Sequence, residues 1–340
     1  MYYDALSPYH DETKEACLMG KTLIRILAVA LLLALTVLLG PSATPLAIGE
    51  GISEEIPVYT PVTLAATEVT PLDYQADAPY KPDPSAYLLD SAGYLDDSIS
   101  VRVEYMRAYD TTIQLTWVQV ADASQMRTAS YKKYPSKSIA RASVIAKREG
   151  AVVAINGDYF VHRKEGYIVR NGDVLRKNYT DLYHTLIIDD KGDFTIFPTN
   201  TQDVVDSFQG NVKQLMVFGP ALVIDGVQQT DFTAKGPGIL KECTPHKETQ
   251  RLAICQMDSL SYLIIATEGP ENKGSTGLTM AEFAKLCADL GVKQAFNLDG
   301  GSSSTVVLNN KKINSLSTGK VRSIGDILYF VTAVPNEGSK

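Results

Sequence analysis

The chain has 340 residues, a formal net charge of -7 and 45% hydrophobic residues, enough for one large domain or two small ones. The acidic balance argues against a nucleic-acid-binding surface. The four cysteines, Cys17, Cys243, Cys255 and Cys287, contain no C-x-x-C pair, so a zinc cluster is not expected. Cys255 in an apolar run and Cys287 on an apolar helix face read as buried free thiols. A Cys243–Cys255 disulfide is the weaker reading and requires an exported domain.

Leu23 to Leu39 is apolar except for Arg25 and Thr36, with Lys21 just before it. As a helix it lies at the short end of a membrane span, and Lys21 and Arg25 bias its N-terminal side to the cytoplasm. The expected organisation is a cytoplasmic tail at 1–22 and a transmembrane signal anchor at 23–40. A secreted chain, cleaved near Gly40-Pro41-Ser42-Ala43, is the alternative. Residues 41–98 hold Pro41, Pro45, Pro57, Pro61, Pro71, Pro79, Pro82 and Pro84 without a helical or strand period. They read as an extended extracytoplasmic linker.

A domain is expected over 99–335. Val101, Val103 and Tyr105, then Ile113, Leu115 and Trp117, alternate with polar residues as half-buried strands do. Ser138–Arg148 reads as a helix with Ile139, Ala142, Ile145 and Ala146 on one side and Gly150 as its stop. Ala151–Ile155 is a short buried strand. Hairpins are marked at Asn171-Gly172, Lys191-Gly192, Asp225-Gly226 and Asn309-Asn310. Two more strands are expected over 251–256 and 261–267. Thr279 with Glu282 forms a capping box for a helix whose inner face is Met280, Phe283, Ala284, Cys287 and Leu290, ended by Gly291. Strands at 294–298 and 327–331 complete an α+β fold: a mixed, strand-rich sheet with a few packed helices.

Two turns carry the chemistry. Asp299 is the only charged residue from Gln294 to Asn310, and it is followed by Gly300, Gly301, Ser302 and Ser303. The glycines allow positive φ and close backbone approach, and the N–H groups of Gly301, Ser302 and Ser303 could form an anion-binding nest. A hairpin turn capping itself is the bland reading. Asn156-Gly157-Asp158 repeats the design at the end of another buried strand. Its Asn156 suits sugar hydroxyls, and Asp158 is a further carboxylate. Arg251 and Arg322 can grip a phosphate bidentately, and Glu268 ends an apolar strand. His184 and His246 are isolated, and no H-E-x-x-H, G-x-S-x-G or P-loop pattern is present.

The stretch from about Ala121 to Ala333 resembles the phosphodiester glycosidase family. The resemblance rests on motifs in order: Ala154-Ile155-Asn156-Gly157-Asp158-Tyr159-Phe160, Phe218-Gly219-Pro220-Ala221-Leu222-Val223, Arg251-Leu252-Ala253-Ile254, Gly277 to Ala284, Asn297-Leu298-Asp299-Gly300-Gly301-Ser302-Ser303, and Arg322 before the last strand. Ser302, Glu268 and Gln250 depart from the family's usual glycine, aspartate and proline. The resemblance implies hydrolysis of the bond between a sugar's anomeric carbon and a phosphodiester oxygen, in cell-envelope or exopolysaccharide metabolism. Asp299 would be the principal catalytic carboxylate and Glu268 the second. Arg251 and Arg322 would hold the phosphate, and Asn156, Gly300 and Gly301 would place the sugar. No cofactor is assigned; a divalent cation near Asp299 stays open without ligand spacing to support it. The competing reading is a non-catalytic binder of wall or exopolysaccharide glycan.

Overall fold

The computed structural model describes residues 54–66, 69–76, 80–232, 243–315 and 321–335. The expected membrane anchor at 23–40 lies outside them. Among the described residues no helix is long and apolar enough to cross a membrane.

In chain order the strands begin with β1 Gly93–Leu95, β2 Ile99–Ala108, β3 Thr111–Val120 and β4 Met126–Ser130. Helix α1 Ala142–Arg148 leads into β5 Val153–Asn156. Next come β6 Gly166–Arg170, β7 Asp173–Asn178, β8 His184–Asp189 and β9 Phe194–Phe197, then α2 Gln202–Ser207. Strands β10 Val212–Phe218, β11 Ala221–Ile224, β12 Val227–Gln228, β13 Leu252–Asp258 and β14 Ser261–Thr267 precede α3 Met280–Asp289. The chain closes with β15 Gln294–Leu298, β16 Val306–Leu308, β17 Lys311–Lys312 and β18 Asp326–Phe330.

Three sheets result. Eight strands run in the order β1-β2-β3-β14-β13-β15-β11-β12, five in the order β7-β6-β10-β8-β9, and five in the order β17-β16-β5-β18-β4. The α+β class and its strand-rich character are observed, but the sheets are antiparallel rather than mixed: β2–β3, β13–β14, β13–β15, β5–β16 and β5–β18 all pair antiparallel. The physical reason is the scarcity of helices. A parallel neighbour needs a crossover, usually helical, whereas the pairs β2–β3, β6–β7, β11–β12, β13–β14 and β16–β17 are joined by tight turns. Asn171 and Gly172, Asp225 and Gly226, and Asn309 and Asn310 all take positive φ, the geometry of a twist-matched two-residue hairpin.

Helix α3 forms as its capping box dictates. Thr279 Oγ1 accepts the Glu282 N–H at 3.3 Å, and Glu282 Oε2 accepts the Thr279 N–H at 2.8 Å. Met280, Phe283, Ala284 and Cys287 are buried against the apolar cluster that spans the sheets. Helix α1 starts later than the sequence suggests, and Ile139 is left exposed. Cys243, Cys255 and Cys287 are buried and in no disulfide among the described residues; the Cys255 thiol faces that of Cys287, not Cys243.

The stretch read as a linker is laid along the domain in its described parts. Tyr59 stacks on Trp117 at 5.6 Å. Val62 exchanges two hydrogen bonds with the Gln119 side chain. Leu72 N–H donates to Ser124 Oγ at 2.7 Å, and Arg127 Nη2 donates to the carbonyls of Asp73, Tyr74 and Ala76. Tyr94 of β1 is 1% exposed within the core. Such docking uses single anchors rather than a periodic face, so hydrophobic patterning does not reveal it.

Candidate active site

A cavity of about 480 Å³ opens where the end of β15 and the start of β13 meet the turn after β5. Asp299, Gly300, Gly301 and Ser302 form one wall; Tyr159 and Arg163 form another. Arg251, Arg322, Asn297, Tyr183 and Phe218 are among the other lining residues.

The two look-alike turns are tied together by Asn156. Its Nδ2 donates to the Asp299 carbonyl at 2.9 Å, and its Oδ1 accepts the Thr305 N–H at 2.9 Å. Asn156 is buried and does not line the cavity; it fixes the backbone that carries Asp299. Gly300 passes so close to β13 that a Cβ would lie 2.6 Å from the Gln250 carbonyl oxygen. Gly301 takes φ +55° and starts a 3-10 turn. The expected nest is largely spent in that turn. Gly301 N–H donates to the Gln250 carbonyl at 3.0 Å and Ser303 N–H to that of Gly300 at 3.1 Å. Of the three N–H groups, only that of Ser302 has no acceptor among the described residues. Burial pushes the Asp299 carboxyl up from its ordinary value, while the Ser303 hydroxyl and the charges of Arg322, Arg163 and His162 pull it back.

Asp158 is buried away from the cavity. It accepts Arg170 Nη2 at 2.6 Å, the Val217 N–H at 2.7 Å and the Phe160 N–H at 3.2 Å. Asp326 stands 3.5 Å from the same guanidinium nitrogen. Arg170 and Arg163 hold the Asp158 carboxyl low against the cost of burial; burial and the Asp158 charge push Asp326 up to about 7. Gly157 is required here, because a Cβ would fall 2.0 Å from Asp326 Oδ2. Gly157 and Asp158 thus build the turn that presents Tyr159 and Arg163.

The cations divide. Arg251 lines the cavity, but its guanidinium donates to the carbonyls of Leu278, Cys243, Thr244 and Lys247. It holds the cavity's loop, and burial lowers it to about 10. Arg322 is exposed and reaches Ser303 Oγ at 3.4 Å. Arg163, which the sequence did not single out, lies over the rings of Tyr183 and Phe218 at 4.5 and 5.3 Å. Its Nη2 donates to the carbonyls of Asp158 and Val217, while Nε and Nη1 are buried without a partner. The signal available was an arginine just after the Asn156-Gly157-Asp158 turn. Asn297 is 3% exposed and is oriented by Nδ2 donating to the Gly219 carbonyl at 2.8 Å; its Oδ1 has no partner.

Glu268 does not reach the cavity; it accepts the Ser275 hydroxyl at 2.6 Å. His184 Nδ1 accepts the Ala221 N–H, and His246 does not line the cavity. Among the described residues no group of three His, Cys, Asp or Glu side chains gathers to hold a metal ion.

Fold and cavity define an antiparallel-sheet protein with one carboxylate set among cations. The phosphodiester glycosidase family model matches residues 149–331, more than half of the chain. The chain belongs to that family, which is of hydrolase type. It is 28% identical over 197 residues to the SPbeta prophage-derived uncharacterized protein YomE of Bacillus subtilis (strain 168), covering 54% of this chain and 28% of that protein. This chain therefore spans little more than a quarter of that relative's length. In fold it is similar to the catalytic domain of zebrafish N-acetylglucosamine-1-phosphodiester alpha-N-acetylglucosaminidase, with a TM-score of 0.56 at 17% identity over 69% of this chain and 83% of that one. A hypothetical protein from Synechocystis is similar with a TM-score of 0.54 at 14% identity, covering 69% and 62%.

Proposed function

We propose that the protein hydrolyses the bond between the anomeric carbon of a sugar and a phosphodiester oxygen. The observation that carries this is Asp299, half-buried at a strand end in one cavity with Arg163 and Arg322. Glycoside hydrolysis commonly uses two carboxylates, one to protonate the leaving oxygen. A phosphomonoester leaves without that proton, so one carboxylate suffices if cations receive the negative charge. Asp299 takes a proton from water as the water oxygen bonds to the anomeric carbon. The carbon–oxygen bond to phosphate breaks with its electron pair on oxygen, giving free sugar and a phosphomonoester. Arg163 and Arg322, both lining the cavity, hold the phosphate, and Asn297, also in the lining, faces the sugar. Arg251, Asn156 and Asp158 hold the walls in place. Water attack from the face opposite the phosphate inverts the anomeric centre.

The sugar tried first is N-acetylglucosamine, after the name of the zebrafish protein similar in fold. The apolar stretch at 23–39 supports an extracytoplasmic domain, membrane-anchored or secreted, with envelope or exopolysaccharide phosphodiesters as its substrate class. The test is release of free sugar from an N-acetylglucosamine 1-phosphodiester by the full chain, beside Asp299→Asn. Release by the wild type alone supports the reading. A folded wild type that retains sugar phosphodiesters yet releases nothing over a panel of sugars points to a glycan binder instead.

A further inference from the structure

We propose that Tyr159 is a stacking platform for a pyranose ring of the substrate, set at the cavity beside Asp299; the inference rests on the sugar-phosphodiester reading above. Tyr159 lines the cavity yet is 42% exposed. Its backbone is left-handed, with φ 67° and ψ 16°, a conformation that disfavours a residue with a Cβ. Nothing in the packing repays this. The ring is outside the apolar core, and the hydroxyl makes no hydrogen bond among the described residues. The ring contact it does make is a stack on His162, 4.7 Å between centres at 29°. That stack fixes the orientation of the Tyr159 ring rather than burying it.

A non-glycine residue held in a sparsely populated conformation beside a cleft points to function. Tyr159 and Asp299 line the same cavity, so the ring stands at the reacting carboxylate's own cleft. The lining also presents groups for the anionic end of the substrate: Arg163, Arg322 and the Ser302 N–H. The apolar C–H face of a sugar is matched by the electron-rich face of an aromatic ring; of the aromatic rings lining the cavity, Tyr183 and Phe218 are buried with the Arg163 guanidinium over them, and Tyr159 is the exposed one. The ring is either the sugar whose anomeric bond is cut or a sugar beyond the phosphate; the chemistry is shared.

The test is calorimetric binding of a non-hydrolysable glycosyl phosphonate, once with a methyl aglycone and once with a sugar aglycone, read apart from turnover. Tyr159→Phe keeps the platform and is expected to bind within about twofold of wild type, while Tyr159→Ala binds about tenfold more weakly. Tyr159→Gly is the separating variant, because it relieves the left-handed strain and removes the ring. It should bind as weakly as Tyr159→Ala, with a melting temperature no lower than the wild type's. Loss of affinity for both ligands places the cleaved sugar on the ring; loss for the sugar aglycone alone places the sugar beyond the phosphate there. Unchanged affinity in Tyr159→Gly, or Phe as weak as Ala, overturns the platform. A wild type that binds the phosphonate but hydrolyses no phosphodiester overturns the reaction and leaves the platform standing. A wild type that binds neither ligand overturns both.

Discussion

Gly157→Ala is a severe test of how the site is built. The added methyl would meet Asp326 Oδ2 at 2.0 Å, Cγ at 2.4 Å and Oδ1 at 2.7 Å, so the whole carboxylate must move. Both residues are held by the β5–β18 pairing, where Ile327 faces Asn156, and the backbone has little room to yield. Overpacking a rigid core costs about 1–3 kcal/mol. Breaking a buried ion pair outright costs about 3–5 kcal/mol, but Asp326 is the more distant partner of Arg170, at 3.5 Å against 2.6 Å for Asp158. The expected loss is therefore about 2–4 kcal/mol, which lowers the melting temperature by roughly 5–15 °C in a domain of this size. Asp326→Ala in the same chain makes room for the methyl. The double variant should be more stable than the sum of the two single losses, with a coupling of about 1–3 kcal/mol. Thermal and denaturant unfolding of the four proteins measure this. A Gly157→Ala melting temperature within about 1 °C of wild type, or strictly additive losses, would refute the claim that Asp326 occupies the space above Gly157.

Asp326, raised to about 7, binds in the fold a proton that the unfolded chain releases near pH 4. Its stabilising contribution is complete below that value and is lost as pH rises through about 7. Asp326→Asn should therefore flatten the difference in unfolding free energy between pH 5 and pH 8, read by denaturant titration at each pH. Asp299→Asn should lower kcat by about 10²–10⁴. In the wild type, the acid limb of kcat/KM should sit above the ordinary aspartate range, because burial raises that carboxyl. A single catalytic carboxylate also predicts inversion, so NMR of the first-formed sugar should show the anomer opposite to that of the substrate; retention would exclude direct water attack. Glu268→Gln should keep kcat/KM within about threefold of wild type, since Glu268 bonds Ser275 outside the cavity.

Local rules made much of the fold legible. The Thr279–Glu282 box, the Asn-Gly and Asp-Gly hairpins and the buried strand before Asn156 depend on neighbours within a few residues. The direction of strand pairing does not, and neither does the docking of the stretch before β2, which relies on Tyr59, Leu72 and Tyr94 one at a time. In the site, sequence named residues of the right kind but could not divide their labour. Arg251 and Arg163 are both arginines beside short apolar strands. Only the fold shows that the first is occupied by four backbone carbonyls while the second keeps Nε and Nη1 unpaired. Asn156 likewise looks like a sugar ligand, but its amide is consumed in joining the two turns.

The docked stretch also sets where a soluble fragment can begin. Cutting at Ile99, where strand patterning starts, would strip β1 from β2 and leave a long edge strand open to pairing with other molecules. It would uncover Trp117, and it would leave the Arg127 guanidinium without the three carbonyls it grips. A soluble fragment therefore has to keep the anchors from Tyr59 onward, and one that begins at Ile99 should aggregate before it can be assayed.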